Sequence, residues 1–490
     1  MTEKKPHIII FNPDQWRGDV MGHLGNPAAV TPNLDRLVEE EAVSFEQSYC
    51  QNPVCTPSRC SFMSGWYPHI KGNRTIFHMM QPDDPVLLRT LKEDGYFVWW
   101  GGKNDLIPND ADFSQYCDVK YEPPKSKVSL AMEANWRGNP DEPGYYSFYG
   151  GNAADTQGLE GFVDYDWGYI NGAIEQIKNA PDDQPLCIYL PIMYPHPPYV
   201  VEEPWFSMID RSKLPERVKP PENFEGKPSM LKGIAEIQDL GEWPEDKWDE
   251  LRATYYGMCT RVDHQFKLVM DALKEAGIYD DTAVFFFSDH GDYTGDFNIA
   301  EKNQNTFEDS LTRVPFIIKP PANIPVQPGR RDALVELIDF PATVEELVGI
   351  KPDHSHFGKS LLPLIRGEET EHRDAVFSEG GRLHGETHCM ELEAEDQQQP
   401  GALYYPRLSL QRQEGPQHTK AIMCRTKDYK YVQRLYEVDE LYDLKADPQE
   451  VHNRIHDPEL ADVLSKLKDR LLTFHLETSD VVRLKSDARF

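Results

Sequence analysis

The stretch Asn52–Gly72, NPVCTPSRCSFMSGWYPHIKG, decides how the rest of the chain is read. Thr56 is a good N-cap and Pro57 suits a first helical position, so a helix is predicted to start here. Phe62 and Met63 continue it, and Gly65 ends it. Such a start sets the Cys55 thiol beside free backbone N–H groups, at the positive end of a helix dipole, a place that suits an anion. Arg59, one turn on, adds a planar guanidinium fork that matches a tetrahedral oxyanion. Thiol, helix start and arginine together point to chemistry on a sulfate or phosphate group. The bland alternative is a capped helix with a small buried cysteine, so the flanking chain has to decide.

Outward from that stretch, short apolar runs end in polar residues again and again. Ile8–Phe11 reads as a buried parallel strand and is followed by Asp14 and Gln15. Tyr96–Trp100 is followed by Gly101-Gly102-Lys103-Asn104-Asp105, and Leu186–Pro191 by His196 between prolines that stiffen its loop. Thr282–Ser288 (TAVFFFS), the most apolar strand, leads straight into Asp289 and His290. Ligand sites of open α/β sheets lie beyond the carboxyl ends of strands. Four strands that each end in such a residue therefore describe one site. Taken singly, Asp14 reads as a turn aspartate, His196 as structural, and Lys103 and Lys302 as solvated lysines.

The rest supplies the frame. Helices are expected at Thr31–Glu41, Val86–Asp94, Tyr165–Asn179 and Trp248–Ala276. A further strand is expected at Val314–Lys319, and Leu334–Ile350 reads as a helix pair broken at Pro341. Pro108–Asp155 reads as an insertion. Beyond His372 short strands (Ala375–Ser378, Ala421–Arg425, Tyr429–Arg434) alternate with charged turns, and a helix from Pro458 to Leu476 comes after them. The expected division is residues 1–371 as an α/β domain and 372–490 as a smaller α+β subdomain.

At 490 residues the chain is long enough for both. Its net charge of −31 argues against nucleic acid or an anionic membrane as partner, and it requires a locally positive site for an anionic substrate. The apolar run at the start is too short for a secretory signal, and no stretch is long enough to span a membrane. Eight cysteines show neither metal spacing nor a disulfide framework. A cytoplasmic location is expected, although a secreted chain trimmed of its signal would read the same.

Cys55-Thr56-Pro57-Ser58-Arg59, continued by Ser64-Gly65-Trp66-Tyr67-Pro68-His69, resembles the maturation motif of the type I sulfatases. The resemblance runs in order through Asp14-Gln15, Lys103, His196, Ser288-Asp289-His290-Gly291 and Lys302. It extends into Arg425–Tyr431 and Asp439–Leu444, which look like that family's C-terminal subdomain. It implies an alkaline-phosphatase-like fold with a mixed, mostly parallel sheet flanked by helices. It also implies hydrolysis of sulfate monoesters to sulfate and an alcohol, on a small molecule or a saccharide. Cys55 would be oxidised to formylglycine by a maturation enzyme, and the hydrated aldehyde would attack sulfur and later expel sulfate from a covalent intermediate. Asp14, Gln15, Asp289 and His290, with residue 55, would hold one divalent ion, calcium first and magnesium or manganese as alternatives. Arg59 would polarise the ester with the metal, Lys103 would steady the nucleophile, and His196 or Lys302 would serve the leaving oxygen.

Three departures stand out: Gln15 where many members have aspartate, His290 where many have asparagine, and Asp105 where many have histidine. The first two also look like the phosphonate monoester and phosphodiester hydrolases, which is the alternative activity; a sulfated-ligand binder with an unmodified thiol is a more distant one. Asp105, with Asn73 and Arg74 near the cysteine helix, is a candidate for contact with substrate. The sequence does not name the alcohol half of that substrate.

Overall fold

The structure is a computed structural model and describes residues 5–124, 137–140, 142–153 and 164–489. Among the described residues, ten strands precede the tail: β1 His7–Pro13, β2 Val43–Tyr49, β3 Phe97–Gly101, β4 Val119–Tyr121, β5 Tyr149–Asn152, β6 Leu186–Ile192, β7 Tyr199–Val201, β8 Thr282–Phe287, β9 Phe316–Lys319 and β10 Gly329–Glu336. Eight of them form one sheet in the order β10-β2-β9-β8-β1-β6-β3-β4. Only β9 runs antiparallel to its neighbours β2 and β8; the other pairs of this sheet are parallel. The carboxyl ends of β1, β3, β6 and β8, adjacent in the order β8-β1-β6-β3, thus open on one edge.

Successive residues of a strand face opposite sides of the sheet, and β1 fills both sides with apolar contacts. Ile9 and Phe11 pack with Phe266 of the long helix Glu245–Glu275 and with Phe286, while Ile8 and Ile10 join Phe62, Phe285 and Phe340 on the other side. Phe11 meets Phe266 edge to face at 5.4 Å. Each such buried side chain contributes roughly 1.5–3 kcal/mol, and the helices that cover both faces make β1 wholly buried.

The tail carries a second, antiparallel sheet of β11 Val376–Gly380, β12 Ala421–Arg425, β13 Tyr429–Arg434 and β14 Glu440–Asp443. The helix Ala461–Thr478 packs on it, with Phe474 stacked on Phe377 at 3.9 Å. Arg425 and Lys430 both pair Asp309, which ties this sheet to the chain that precedes β9.

Two sequence expectations need correction. Leu334–Glu336 belongs to strand β10, paired parallel with β2, and only Asp339–Val348 is helical. Pro341 does not break a helix there, because it sits in the first turn, where a missing N–H costs little. The helix at the cysteine runs Cys55–Ser64 with Val54 as N-cap and no side-chain cap, so Thr56 lies inside it; Gly65 ends it at φ 74° as expected. Of the excursion at 108–155, residues 125–136, 141 and 154–155 lie outside the described residues. No helix among the described residues is long and apolar enough to cross a membrane.

Candidate active site

Cys55 is the first residue of its helix, and the helix is pinned to the end of β8 by Ser58, whose hydroxyl donates to the Asp289 carbonyl at 2.6 Å. That contact aims the thiol at the sheet edge. Cys55 Sγ lies 3.3 Å from His290 Nε2, 3.5 Å from Asp14 Oδ1 and 3.4 Å from Lys103 Nζ. Lys103 arrives there because Gly102, at φ 128°, lets the chain turn against β6. A Cβ at Gly102 would stand 2.1 Å from the Pro191 carbonyl oxygen, which accepts from the Lys103 N–H at 2.8 Å.

Asp14, Cys55, Asp289 and His290 are all buried, and they offer ligand atoms within 4.8 Å of one another. Each carboxylate is split in its duties. Asp14 Oδ2 takes Lys103 at 2.6 Å and Arg59 at 3.0 Å, and Asp289 Oδ2 takes Arg59 at 2.8 Å. The Oδ1 atoms are turned toward His290 Nε2, at 3.5 Å from Asp14 and 3.8 Å from Asp289. His290 Nδ1 lies 2.9 Å from the Gly291 carbonyl and donates to it, which leaves the Nε2 lone pair facing the two oxygens. Carboxylate oxygens with one imidazole oriented through its far nitrogen form a set that fits a divalent cation.

The electrostatics follow from burial against charge. Burial works against the Asp14 carboxylate, but the charges of Lys103 and Arg59 hold it well below the usual range. Burial, then the Asp14 charge, pushes the Cys55 thiol up to about 12. Lys103 and Lys302 pull the other way but are outweighed, so the thiol stays protonated at neutral pH and is a poor nucleophile. Lys103 is raised well above its ordinary value, against burial, by Asp105 and Asp14. Arg59, Lys103 and Lys302 are paired with Asp14, Asp289, Asp105 and Glu301, so a bound divalent cation would have to add the local positive charge that a chain of net charge −31 needs for an anionic substrate.

Gln15, His196 and Lys302 form the adjoining layer. Lys302 Nζ donates to Gln15 Oε1 at 2.5 Å and to His196 Nε2 at 2.9 Å, and it pairs Glu301 at 2.8 Å. The Gln15 amide also donates to Asp292. Its oxygen, the atom expected to face a cation, is thus engaged by an ammonium, and the residue adopts φ 71°. Asp105 sits 2.8 Å from Lys103 Nζ. Asn73 and Arg74 are not drawn into this cluster: Asn73 donates to the His78 carbonyl, and Arg74 pairs Glu386 and the Gly381 carbonyl. Sequence reading passed over Ser58, Tyr189 (3.4 Å from Arg59), Asp292 and Glu301 as members of the site. The position of Asp292 after His290, and of Glu301 before Lys302, was the signal available.

A mostly parallel sheet whose carboxyl edge gathers these groups agrees with the alkaline-phosphatase-like fold expected above, and the relatives of the chain identify the class as a hydrolase. Residues 6–350 match the Sulfatase family, and 378–477 match the C-terminal region of N-sulphoglucosamine sulphohydrolase. The chain belongs to the sulfatase family and is a sulfuric ester hydrolase. It is 25% identical to the multifunctional alkaline phosphatase superfamily protein PehA of Trinickia caryophylli, over 98% of this chain and 96% of that one. It is 27% identical to an arylsulfatase of Clostridium perfringens, over 76% and 81%. The fold of a phosphonate monoester hydrolase of Agrobacterium radiobacter superposes with a TM-score of 0.75 at 21% identity, covering 98% of this chain and 100% of that one.

Proposed function

We propose that the chain hydrolyses sulfate monoesters of a small molecule or saccharide through formylglycine made from Cys55 by a maturation enzyme, with one divalent cation held by Asp14, Asp289 and His290. The observation that carries this reading is the convergence of His290 Nε2, Asp14 Oδ1 and Lys103 Nζ on Cys55 Sγ, each within 3.5 Å. The hydrated aldehyde supplies the nucleophile, and the cation, calcium by preference for oxygen donors, supplies charge for the ester oxygens.

The chain's own residues do the rest. Arg59, buried and bound to both carboxylates, keeps Asp14 Oδ1 facing residue 55 and adds positive charge to the sulfate site. Lys103 reaches both Asp14 and position 55, so it neutralises charge on the attacking oxygen. Lys302 is protonated, since Glu301 and Asp14 raise it against burial, and it holds a proton beside His196 for the departing alkoxide. Gln15 fixes Lys302 there. A protein location in the cytoplasm belongs to the same reading.

Gln15 and His290 also favour a second activity, on phosphonate monoesters or phosphodiesters, because both depart from the pattern of many sulfatases. Rates on nitrophenyl sulfate and on phenyl nitrophenylphosphonate, measured side by side, test the assignment. Faster turnover of the phosphonate by tenfold or more (about 1.4 kcal/mol) would reverse it.

A further inference from the structure

A cleft of about 430 Å³ opens beside the site, and Lys103 and His196 form the wall that the two share. Its volume falls in the range of small-molecule sites, roughly 300–1,000 Å³. Much of the remaining lining is aromatic and apolar: Tyr165, Tyr169, Tyr194 and Tyr404, with Pro197 and Pro198 following His196. Tyr165 stacks on Tyr169 at 6.3 Å, and Tyr404 rests on Phe148 at 5.5 Å, so the rings are backed by neighbours.

The ionisable groups of this lining are Lys103 and the carboxyls of Glu122, Asp164 and Asp166, the last pushed up to about 7 by burial and then by Asp164. Glu122 pairs Lys120 and accepts from the Tyr169 hydroxyl. Asp164 pairs Arg261 and caps the Trp167 N–H, and Asp166 accepts the Met193 and Tyr194 N–H groups. Lys103 is already held by Asp14 and Asp105. A second anionic group on a substrate seated here would meet carboxylates and find no uncommitted cation among the described lining residues. An apolar ring would meet tyrosine faces and proline edges, which favour it through burial and ring packing.

We propose that this cleft receives the alcohol half of the ester, entering past His196 and Lys103, and that it selects an uncharged apolar or aromatic alcohol against one that carries a second anion. This rests on the sulfate-ester reading above and adds to it which alcohol is taken. Tyr165 and Tyr404 are the specificity residues, and Glu122 is the group that repels.

The test compares kcat/KM of the matured, metal-loaded enzyme on 2-naphthyl sulfate and 6-carboxy-2-naphthyl sulfate. These present similar leaving oxygens and differ by one charge on the far side of the ring. The uncharged ester is expected to lead by about tenfold or more. Glu122→Lys, at a side chain 61% exposed, should raise the carboxylated ester's relative rate several-fold, and Tyr165→Ala should lower the uncharged ester's rate chiefly through KM. Equal rates on the two esters, or a ratio that neither substitution moves, would overturn the proposal. Failure to release sulfate from either ester would be a different result: it defeats the hydrolase reading itself, and the proposal with it.

Discussion

The Lys302 ammonium donates to His196 Nε2 at 2.9 Å, while His196 Nδ1 lies 2.6 Å from the Pro197 carbonyl. With Nδ1 donating to that carbonyl, Nε2 must carry the lone pair, so the ring is neutral. Burial, then Lys302, holds the imidazole well below its ordinary range. Lysine and histidine therefore divide a task that the sequence left open between them. In the proposed reaction Lys302 would carry the proton and His196 would position it.

Loss of a general acid costs about 10²- to 10⁴-fold in rate, and the loss shrinks as the leaving group grows more acidic. Lys302→Ala is expected to fall by that much on an alkyl or sugar sulfate and far less on nitrophenyl sulfate. His196→Ala should show a smaller fall with the same trend, and both should keep their metal, since neither belongs to the Asp14–Cys55–Asp289–His290 set. A Lys302→Ala enzyme equally impaired on every leaving group would remove lysine from the role of acid.

Cys55 in active enzyme should carry an aldehyde. Its thiol is pushed up to about 12, first by burial, which leaves an unmodified cysteine a poor nucleophile at neutral pH. A peptide mass spectrum spanning Cys55–Arg59 reads the modification directly. Full activity in a sample whose Cys55 is entirely thiol would refute the formylglycine route.

Much of the sheet was legible because β1, β6 and β8 are apolar runs closed by polar residues, and parallel burial on both faces demands such runs. The edge strand β10 was not, since Leu334 to Glu336 flows without punctuation into an apolar helix, and only pairing with β2 makes it a strand. The antiparallel sense of β9 is equally a matter of pairing. Within the site, strand ends disclosed Asp14, Lys103, His196 and Asp289. The engagement of Gln15 by Lys302 depends on a left-handed turn at residue 15, which no local pattern announces. Asn73 and Arg74 follow the cysteine helix closely in sequence, yet Arg74 turns to Glu386 in the tail; closeness along the chain did not carry them into the site.

Asp289 should bind metal and support the fold at once. Its Oδ2 atom receives Arg59, which is fully buried, and its Oδ1 accepts the Gln15 and His290 N–H groups. Removing one partner of a buried ion pair costs up to about 3–5 kcal/mol, and Arg59 keeps Asp14 as its second partner at 3.0 Å, which limits the loss. Asp289→Ala is therefore expected to lose both bound metal and stability of up to that order, whereas Asp289→Asn should lose metal with a smaller stability loss. Elemental analysis and denaturant unfolding of the two variants give the answer. Stoichiometric metal in Asp289→Ala would exclude Asp289 from the ligand set.

His418 offers a test of pH dependence away from the metal site. It is buried, neither ring nitrogen has a hydrogen-bond partner, and burial, then Arg382, Arg407 and Arg74, pushes the imidazole down to about 3. In the unfolded chain it would titrate near the ordinary histidine value of 6.5. Between these two values the unfolded state binds the extra proton, so stability rises with pH across that window. The neutral ring's contribution is complete above about pH 6.5 and is lost as pH falls toward about 3. One proton corresponds to a slope of up to about 1.4 kcal/mol per pH unit. His418→Leu, which keeps an uncharged group in the same place, should flatten the acid side of the stability curve by up to that amount. Denaturant unfolding at several pH values between about 4 and 6 measures it. Identical slopes for the two proteins would show that His418 is already protonated when folded, and its burial beside three arginines would then need another counter-charge.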